Sequence, residues 1–369
     1  MDFGVALATP WDAWKSAKRA EEAGYTSAWF FDTQLLSADV FTAMGVAAVK
    51  TDRIKLGTGV LIPSNRIAPV AANAFATLNA LAPGRINAGV GTGFTGRLTM
   101  GLGAYQLADM GDYIRVMQKM WQGETTEIEL EGKTRHVRFL NPEAGLINID
   151  DPIEVHVSAL GPKGRRLTAD LDANWINVDF SEGFALAKEA ADDMNGLYRD
   201  AGQDPAKRRK TFFIWGSVLE EGEDCNTPRV RAEAGPFSAQ ILHAIMETMD
   251  RGVDTSGGAD DAAVDDSPIA RLAAGYRELY ETYEPHARYL QLHAGHLLHI
   301  REDEAPFVTG DLIQSTTITG TPEELRDRLR KLADAGYDEV VVAITPGHES
   351  MIEDWMGVFE TVAEPAPAA

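Results

Sequence analysis

Cysteine is nearly absent from this sequence, which has one, Cys225, among 369 residues. A single thiol excludes a disulfide within the chain and any metal site built from several cysteines. Cys225 directly follows Asp224, and a neighbouring carboxylate raises the pKa of a thiol. We therefore do not expect Cys225 to act as a nucleophile.

Positive charge and long apolar segments are also scarce. Lysine and arginine number 34 against 56 aspartates and glutamates, which gives a formal net charge of -22. Nucleic-acid binding depends largely on cations that neutralise phosphates, so nucleic acid is not an expected partner. No apolar run reaches the ~18 to 20 residues that cross a bilayer, and no basic segment precedes the N-terminal apolar run. The sequence predicts a cytoplasmic protein without a membrane partner.

The sequence does have a regular alternation of short apolar runs and segments with helical periodicity. Hydrophobic residues make up 44% of the chain, enough to bury a large core. The apolar runs are continuous, which is typical of strands covered on both faces of a parallel sheet. Strands are predicted at 3–8, 28–31, 54–60, 86–90, 153–157, 175–178, 212–219 and 339–344, and helices at 11–24, 38–49, 68–81, 107–121, 162–171, 182–201 and 325–335.

About eight strand and helix units without a linker predict an α/β protein with a single (β/α)8 TIM barrel over residues 1–369. The rhythm breaks at about 222–310, where helical segments at 230–251 and 269–283 flank a Gly/Asp-rich loop at 254–266. We expect this insertion to cover the carboxyl ends of the strands, where the active site of a barrel lies. A doubly wound open sheet is the alternative, but Thr9-Pro10-Trp11 lacks the glycine-rich fingerprint that would follow its first strand.

Three segments at predicted strand ends carry glycines or basic residues that ordinary connections do not need. They are 57–69, 84–97 and 158–166. Glycines in the first two segments permit close approach of the backbone to a ligand. The third segment begins a helix, where free N–H groups and the macrodipole favour an anion. Basic side chains are predicted to gather near these segments, at Arg66, Arg85, Arg97, Lys163, Arg165 and Arg166.

Six short pieces of the sequence also match a known pattern in their order and spacing. They are 20–25 with Trp29 and Asp32, 54–60 with Arg66 and Pro69, 84–85 with 91–93, 113–123, 159–163 and 320–324. Together they resemble the luciferase-like flavin monooxygenase superfamily, which includes bacterial luciferase and deazaflavin-dependent methylenetetrahydromethanopterin reductases. The resemblance covers nearly the whole chain.

This resemblance implies an FMN or a deazaflavin that lies across the carboxyl ends of the strands. Its phosphate tail would lie on 158–164, with Lys163 or Arg165 near the charge, and its ring beside 91–93. In several members of the superfamily a non-proline cis peptide bond lies behind the ring, and the matching bond here is Gly59–Val60. The implied cofactor-binding residues are Gly59, Val60, Asn65, Gly91, Thr92, Gly93, Ser158, Gly161, Pro162, Lys163, Gly164 and Arg165.

The sequence departs from the superfamily after the second strand. Many relatives carry a histidine near the ring at this point, whereas this chain reads Phe31-Asp32-Thr33-Gln34, with Thr33 in the place of the histidine. Asp32 is then the best-placed candidate catalytic residue of the segment. A purely structural role for its carboxylate is the alternative.

Histidines recur inside the insertion, at His293, His296 and His299. On a helix this spacing would place them on one side, which raises the question of a metal site. No matching carboxylate signature follows and flavin chemistry needs no metal, so the sequence predicts no metal. His293 and His296 are candidate catalytic residues for substrate positioning or proton transfer, because an imidazole pKa of about 6.5 suits that work. Satisfied or surface imidazoles are the alternative.

Together these features predict a flavin-dependent oxidoreductase. The leading hypothesis is a monooxygenase that takes reduced FMN from a separate reductase and reacts it with O2 and a small organic substrate. Two alternatives stay open: hydride transfer with the deazaflavin coenzyme F420, and a catalytically inactive flavin-binding subunit. We also expect a homodimer or a higher homo-oligomer, because relatives commonly pair through their barrel helices.

Overall fold

Eight parallel strands close into a barrel in the computed structural model, which describes residues 1–179, 184–251 and 268–362. The strands are β1 (Asp2–Leu7), β2 (Ser27–Phe30), β3 (Lys55–Thr58), β4 (Ile86–Val90), β7 (Glu154–Ser158), β8 (Asn174–Asn177), β9 (Lys210–Ile214) and β10 (Glu339–Ile344). Around the barrel they run in the order β1-β10-β9-β8-β7-β4-β3-β2. The structure confirms the predicted (β/α)8 barrel.

Helices follow the strands and pack their apolar sides on the outside of the barrel. Local signals set their ends: Thr321 and Glu324 form a capping box at the start of the helix before β10, and Gly24 adopts a φ of 103° at the end of the first helix. The barrel helices are α1 (Trp14–Ala23), α2 (Val40–Lys50), α3 (Ala68–Leu81), α5 (Leu107–Trp121), α6 (Pro162–Asp170), α7 (Ala187–Asp200), α12 (Pro322–Asp334) and α13 (Met351–Val362). Within the described residues, no helix combines the length and the apolar character that a membrane crossing requires.

One large side chain fills the middle of the barrel. Trp29 is fully buried, and its indole N–H donates to Ser27 Oγ at 2.9 Å. The neighbouring strands make room for the ring with glycine: a Cβ atom at Gly57 would lie 2.6 Å from Trp29 Cε3, and one at Gly89 would lie 3.2 Å from Trp29 Cζ3. The glycines of β3 and β4 are therefore needed partly for packing inside the barrel.

The seventh barrel strand is shorter than predicted. The sequence pattern indicates a strand over 212–219, but β9 ends at Ile214. Residues 215–219 bond instead to the segment before α12, with Ile318 N donating to Trp215 O at 2.8 Å. Gly216 makes this approach possible, because a Cβ atom there would lie 2.8 Å from the carbonyl carbon of Ile318.

The remaining elements are inserted between barrel units. A short helix, α4 (Phe94–Leu98), follows β4. An antiparallel hairpin follows α5, in a polar part of the sequence where no strand is predicted. Among the described residues four helices lie between β9 and α12, three of them within the predicted insertion and the fourth, α11, at its end. The predicted Gly/Asp-rich loop at 254–266 and the first residues of the predicted helix at 182–201 lie outside the described residues. The hairpin is β5 (Thr126–Leu130) and β6 (Lys133–Val137), and the inserted helices are α8 (Pro228–Arg251), α9 (Pro268–Glu281), α10 (Arg288–Leu292) and α11 (Gly310–Thr316).

Candidate active site

Three neighbouring strands bring predicted cofactor-binding residues together at their carboxyl ends. A Cβ atom at Gly91, just after β4, would lie 2.5 Å from Val60 Cγ2 beyond β3 and 3.4 Å from Ser158 Cβ at the end of β7. The peptide bond Gly59–Val60 is cis, as the resemblance implies. Leu61 then pairs with Val90 in a parallel bridge, which carries the segment after β3 alongside β4. The absent side chain at Gly91 is what permits this close meeting.

The turn that follows Gly91 is also closely packed against the segment after β3. Gly93 adopts a φ of 77°, in the left-handed region that favours glycine, and a Cβ atom there would lie 2.4 Å from Ile62 Cγ2. Thr92 is half-buried, and its carbonyl oxygen accepts a bond of 2.8 Å from Tyr105 N. Glycine is therefore required at 91 because of contact, and at 93 because of both contact and backbone conformation.

Asp32 lies in a buried ion pair after β2. Its carboxylate accepts from Arg66 Nη1 at 3.1 Å, from Ile62 N at 3.1 Å and from Asn65 Nδ2 at 3.2 Å. Asn65 also donates to Gln34 Oε1 at 2.7 Å. Both oxygens of Asp32 are thus engaged in holding the segment after β3, which favours the structural role for this carboxylate over the catalytic one. The participation of Asn65 in cofactor binding stays a prediction.

The start of α6 presents backbone N–H groups beside the end of β7. Gly161 precedes the helix without a side-chain cap, Pro162 occupies its first turn, and a Cβ atom at Gly164 would lie 3.0 Å from Ala159 Cβ. Lys163 is exposed in this first turn. An anion placed here would meet unpaired helix N–H groups and a cation.

Two of the predicted basic side chains have other roles. Arg165 pairs with Asp193 on α7, with 2.7 Å between Nε and Oδ2, and donates to the carbonyl oxygen of Leu160. Arg85 lies at the opposite end of the barrel, where its guanidinium donates to the carbonyl oxygens of Ala48 and Thr51. The expectation that Arg85 gathers with the others was wrong, because it precedes β4 rather than following it.

Three buried histidines meet above the short helix α4. His243 Nδ1 lies 3.1 Å from His296 Nδ1, which in turn lies 3.2 Å from His293 Nδ1. Burial, together with nearby positive charge, lowers the pKa of His243 and of His296 well below the ordinary range. His299 is exposed and stands apart from this group. The expectation that His293, His296 and His299 share one side of a helix was wrong, because α10 ends at Leu292 and the chain continues in turns.

Carboxylates face the outer nitrogens of two of these rings. Glu304 Oε2 lies 2.9 Å from His243 Nε2, and Glu247 Oε1 lies 3.0 Å from His293 Nε2. Both carboxylates are buried, and burial raises the pKa of Glu304 against the opposing effect of Arg301. The spacing of four between His243 and Glu247 on α8 is the signal in the sequence that places both on one side of that helix, and our sequence analysis missed it.

A hydroxyl group links the histidine group to the short helix after β4. Thr95 Oγ1 on α4 lies 3.3 Å from His296 Nε2, and α4 directly follows Gly93. The insertion therefore touches the loop at the end of β4. The roles of His293 and His296 in proton transfer stay predictions.

A cavity of about 530 Å³ opens on the other side of the barrel mouth. It lies between the ends of β8 and β9 and the inserted helices, and its lining includes Val178, Phe213, Trp215, Phe237 and Asp311. A space of this volume is in the range of small-molecule sites. The strand ends thus offer a tight glycine-rich edge at β3, β4 and β7 and an open chamber at β8 and β9.

Residues 5–339 match the luciferase-like monooxygenase family, so the chain belongs to that family. A 5,10-methylenetetrahydromethanopterin reductase of Methanolobus tindarius is 25% identical over 345 residues, which cover 91% of this chain and 92% of the relative. The relatives are oxidoreductases, and this protein is an enzyme of the luciferase-like class that uses a flavin or a deazaflavin.

Solved structures share the fold at lower sequence identity. An F420-dependent secondary alcohol dehydrogenase in complex with an F420-acetone adduct has a TM-score of 0.68 at 20% identity, covering 98% of this chain and 99% of that one. The oxygenating constituent of 3,6-diketocamphane monooxygenase from a plasmid of Pseudomonas putida, in complex with FMN, has a TM-score of 0.60 at 15% identity, covering 99% and 97%. The same barrel thus serves both cofactors in these proteins.

Proposed function

We propose that this protein is an F420-dependent oxidoreductase that transfers a hydride between the deazaflavin and a small organic substrate. The observation that carries the proposal is the meeting of Val60, Gly91 and Ser158 at one edge of the barrel. The choice of F420 over FMN is supported by a neighbour that holds F420, and the choice of hydride transfer by a relative that matches over 92% of its length and is named a reductase. Bound F420 supplies a two-electron hydride carrier, so the reaction consumes no oxygen.

The glycine-rich edge fits a flat ring system. Side chains are excluded at Gly91 and Gly93, because a Cβ atom would come within 2.5 Å of Val60 or within 2.4 Å of Ile62. The ring would therefore lie against backbone and against Val60, where water has little room. Such a surface orients a planar group by contact and leaves the chemistry to the cofactor.

The start of α6 fits the anionic tail of the cofactor. Its first turn offers backbone N–H groups after Gly161 and the exposed ammonium group of Lys163. We assign the charge-compensating role to Lys163 rather than to Arg165, because Arg165 is already paired with Asp193. Phosphate at a helix N-terminus is stabilised by both the N–H groups and the macrodipole.

In this proposal Asp32 is a positioning residue. It binds Arg66, Asn65 and the backbone of Ile62, and so fixes the segment that carries Val60 to its place beside β4. Hydride transfer needs the substrate held over the ring, and the chamber next to the strand ends offers it a mixed lining, with Phe213 and Trp215 beside Asp311 and Thr316.

A binding and turnover comparison tests the proposal. The apoprotein is titrated with F420 by fluorescence and, in parallel, mixed with reduced FMN in an oxygen electrode. We expect saturable F420 binding without oxygen uptake, a loss of affinity of at least about tenfold in Gly91→Ala, and no change in Gly196→Ala. The matched control is suitable because a Cβ atom at Gly196 on α7 meets nothing within 4 Å. Oxygen uptake with reduced FMN and no binding of F420 would replace this proposal with the monooxygenase hypothesis.

A further inference from the structure

The histidine group of the insertion has a geometry that hydrogen bonding alone does not explain. The outer nitrogens, Nε2, of His243 and His293 face the carboxylates of Glu304 and Glu247. A carboxylate accepts hydrogen bonds, so each Nε2 is the donor, and when a ring carries one hydrogen its Nδ1 presents a lone pair. Both lone pairs point at His296 Nδ1, at 3.1 and 3.2 Å.

Only one hydrogen is then available for two contacts. If His296 carries this hydrogen on Nδ1, it can donate to the Nδ1 of either His243 or His293. The remaining Nδ1 then faces a nitrogen that donates no hydrogen bond to it. Buried polar atoms in proteins are normally satisfied, and an unmade hydrogen bond in such a place costs about 1–3 kcal/mol. A cation that binds the Nδ1 lone pairs of all three histidines would satisfy these buried atoms together.

We propose that His243, His293 and His296 bind one divalent transition metal ion of the zinc class through their Nδ1 atoms. Their ligand atoms all lie within 4.8 Å of one another. Tetrahedral zinc with Zn–N bonds of about 2.0–2.1 Å places its ligand nitrogens roughly 3.3–3.4 Å apart. The separations of His296 Nδ1 from His243 Nδ1 and His293 Nδ1, 3.1 and 3.2 Å, are close to that value.

The groups around the three rings are those that metal sites use. A metal-binding histidine almost always donates its other N–H to a carboxylate, carbonyl or water, which fixes the tautomer and the ring orientation. Here Glu304 accepts from Nε2 of His243, Glu247 accepts from Nε2 of His293, and the hydroxyl group of Thr95 lies beside Nε2 of His296. These carboxylates also place negative charge near the proposed cation, with Arg301 pairing Glu304 at 3.0 Å. The carboxylates that seemed absent from the sequence are supplied by the fold.

The ion would have a structural role. All three histidines are buried, and imidazole is a preferred ligand of zinc and its neighbours rather than of magnesium or calcium. His243 comes from α8, whereas His293 and His296 come from the turns after α10, and Thr95 ties the group to α4. The metal thus joins two separate parts of the insertion and holds them against the loop that follows β4. This inference does not depend on which cofactor the barrel binds.

Metal analysis of the whole protein tests the site. The chain is produced without a histidine tag, exposed to Zn2+, freed of loosely bound ions by dialysis, and analysed by plasma mass spectrometry. We expect one zinc ion per chain, and Co2+ in its place should give the visible absorption of a tetrahedral site. His243→Ala, His293→Ala and His296→Ala should each weaken Zn2+ binding at least about tenfold, whereas His299→Ala, the exposed neighbour, should bind as the parent does.

A second variant keeps the test informative where a ligand variant does not fold. Glu247→Gln preserves the volume of the side chain while weakening its support of His293, and we expect roughly 10- to 100-fold weaker Zn2+ binding. A parent protein without stoichiometric metal after exposure to Zn2+ refutes the site. Loss of metal in His299→Ala to the same degree as in the three ligand variants also refutes it.

Discussion

The contact between Gly91 and Val60 gives a quantitative test of the cofactor edge. Replacing Gly91 by alanine introduces a Cβ atom 2.5 Å from Val60 Cγ2. Carbon atoms in contact prefer about 3.5–4.0 Å, so one of the two segments must move by about 1 Å. The backbone of Gly91 is outside the left-handed region, so alanine brings steric contact and no backbone strain. Overpacking of this kind costs about 1–3 kcal/mol of unfolding free energy.

A double-mutant cycle isolates that contact. In the Val60→Ala background the nearest remaining atoms are Ser158 Cβ at 3.4 Å and the Cβ atom of residue 60 at 3.5 Å, which are ordinary contacts. Gly91→Ala should therefore be almost neutral there, giving a coupling energy of about 1–3 kcal/mol.

Urea unfolding of the four proteins measures this coupling, with Gly196→Ala as the control. The control should be stabilised by about 0.5–1 kcal/mol, because alanine replaces glycine inside a helix without new contacts. The reasoning is refuted if Gly91→Ala is as stable as the parent, or if its cost is the same with and without the valine side chain.

Three further predictions concern stability. Asp32→Ala should cost about 1–3 kcal/mol in urea unfolding, because it leaves the buried backbone N–H of Ile62 without its acceptor and Arg66 with Asp39 as its remaining partner. A large loss of turnover at unchanged stability would instead make Asp32 catalytic. Trp29→Ala should lower the free energy of unfolding by about 3–5 kcal/mol, because it leaves a cavity in the barrel. The control Trp11→Ala, at a side chain that is 78% exposed, should lower it by less than about 0.5 kcal/mol. Equal losses would contradict the packing described. Burial raises the pKa of Glu21, but bonds from Lys18 and from the backbone N–H groups of residues 52–54 outweigh it and lower the pKa to about 2. Since the folded pKa lies below the ordinary 4.5, this carboxylate stabilises the protein above pH 4.5, and the stabilisation is lost as the pH falls toward 2. Thermal melts over a pH series should therefore show a smaller loss of stability between pH 4.5 and 2 in Glu21→Gln than in the parent.

The barrel itself was predictable from local pattern. The predicted strands at 86–90 and 339–344 and the predicted helices at 68–81 and 107–121 have the same bounds as β4, β10, α3 and α5. Strands buried on both faces are continuous apolar runs, and amphipathic helices repeat every 3.6 residues, so each element is visible in its own window of sequence. The glycines at the strand ends were visible too, and with them the family and the class of cofactor.

The polar groups of the site were not predictable in the same way, because their partners lie far away along the chain. Asp32 looks like a candidate base until Arg66 and the backbone at Ile62 are seen to occupy its carboxylate. His293 and His296 look like a helical pair, yet His243, fifty residues earlier, completes their group while His299 stays outside it. Sequence pattern alone determined the strands and helices of the barrel, because that information is local. Only the tertiary structure decided which charged and imidazole groups meet, since that depends on how distant segments pack over the barrel.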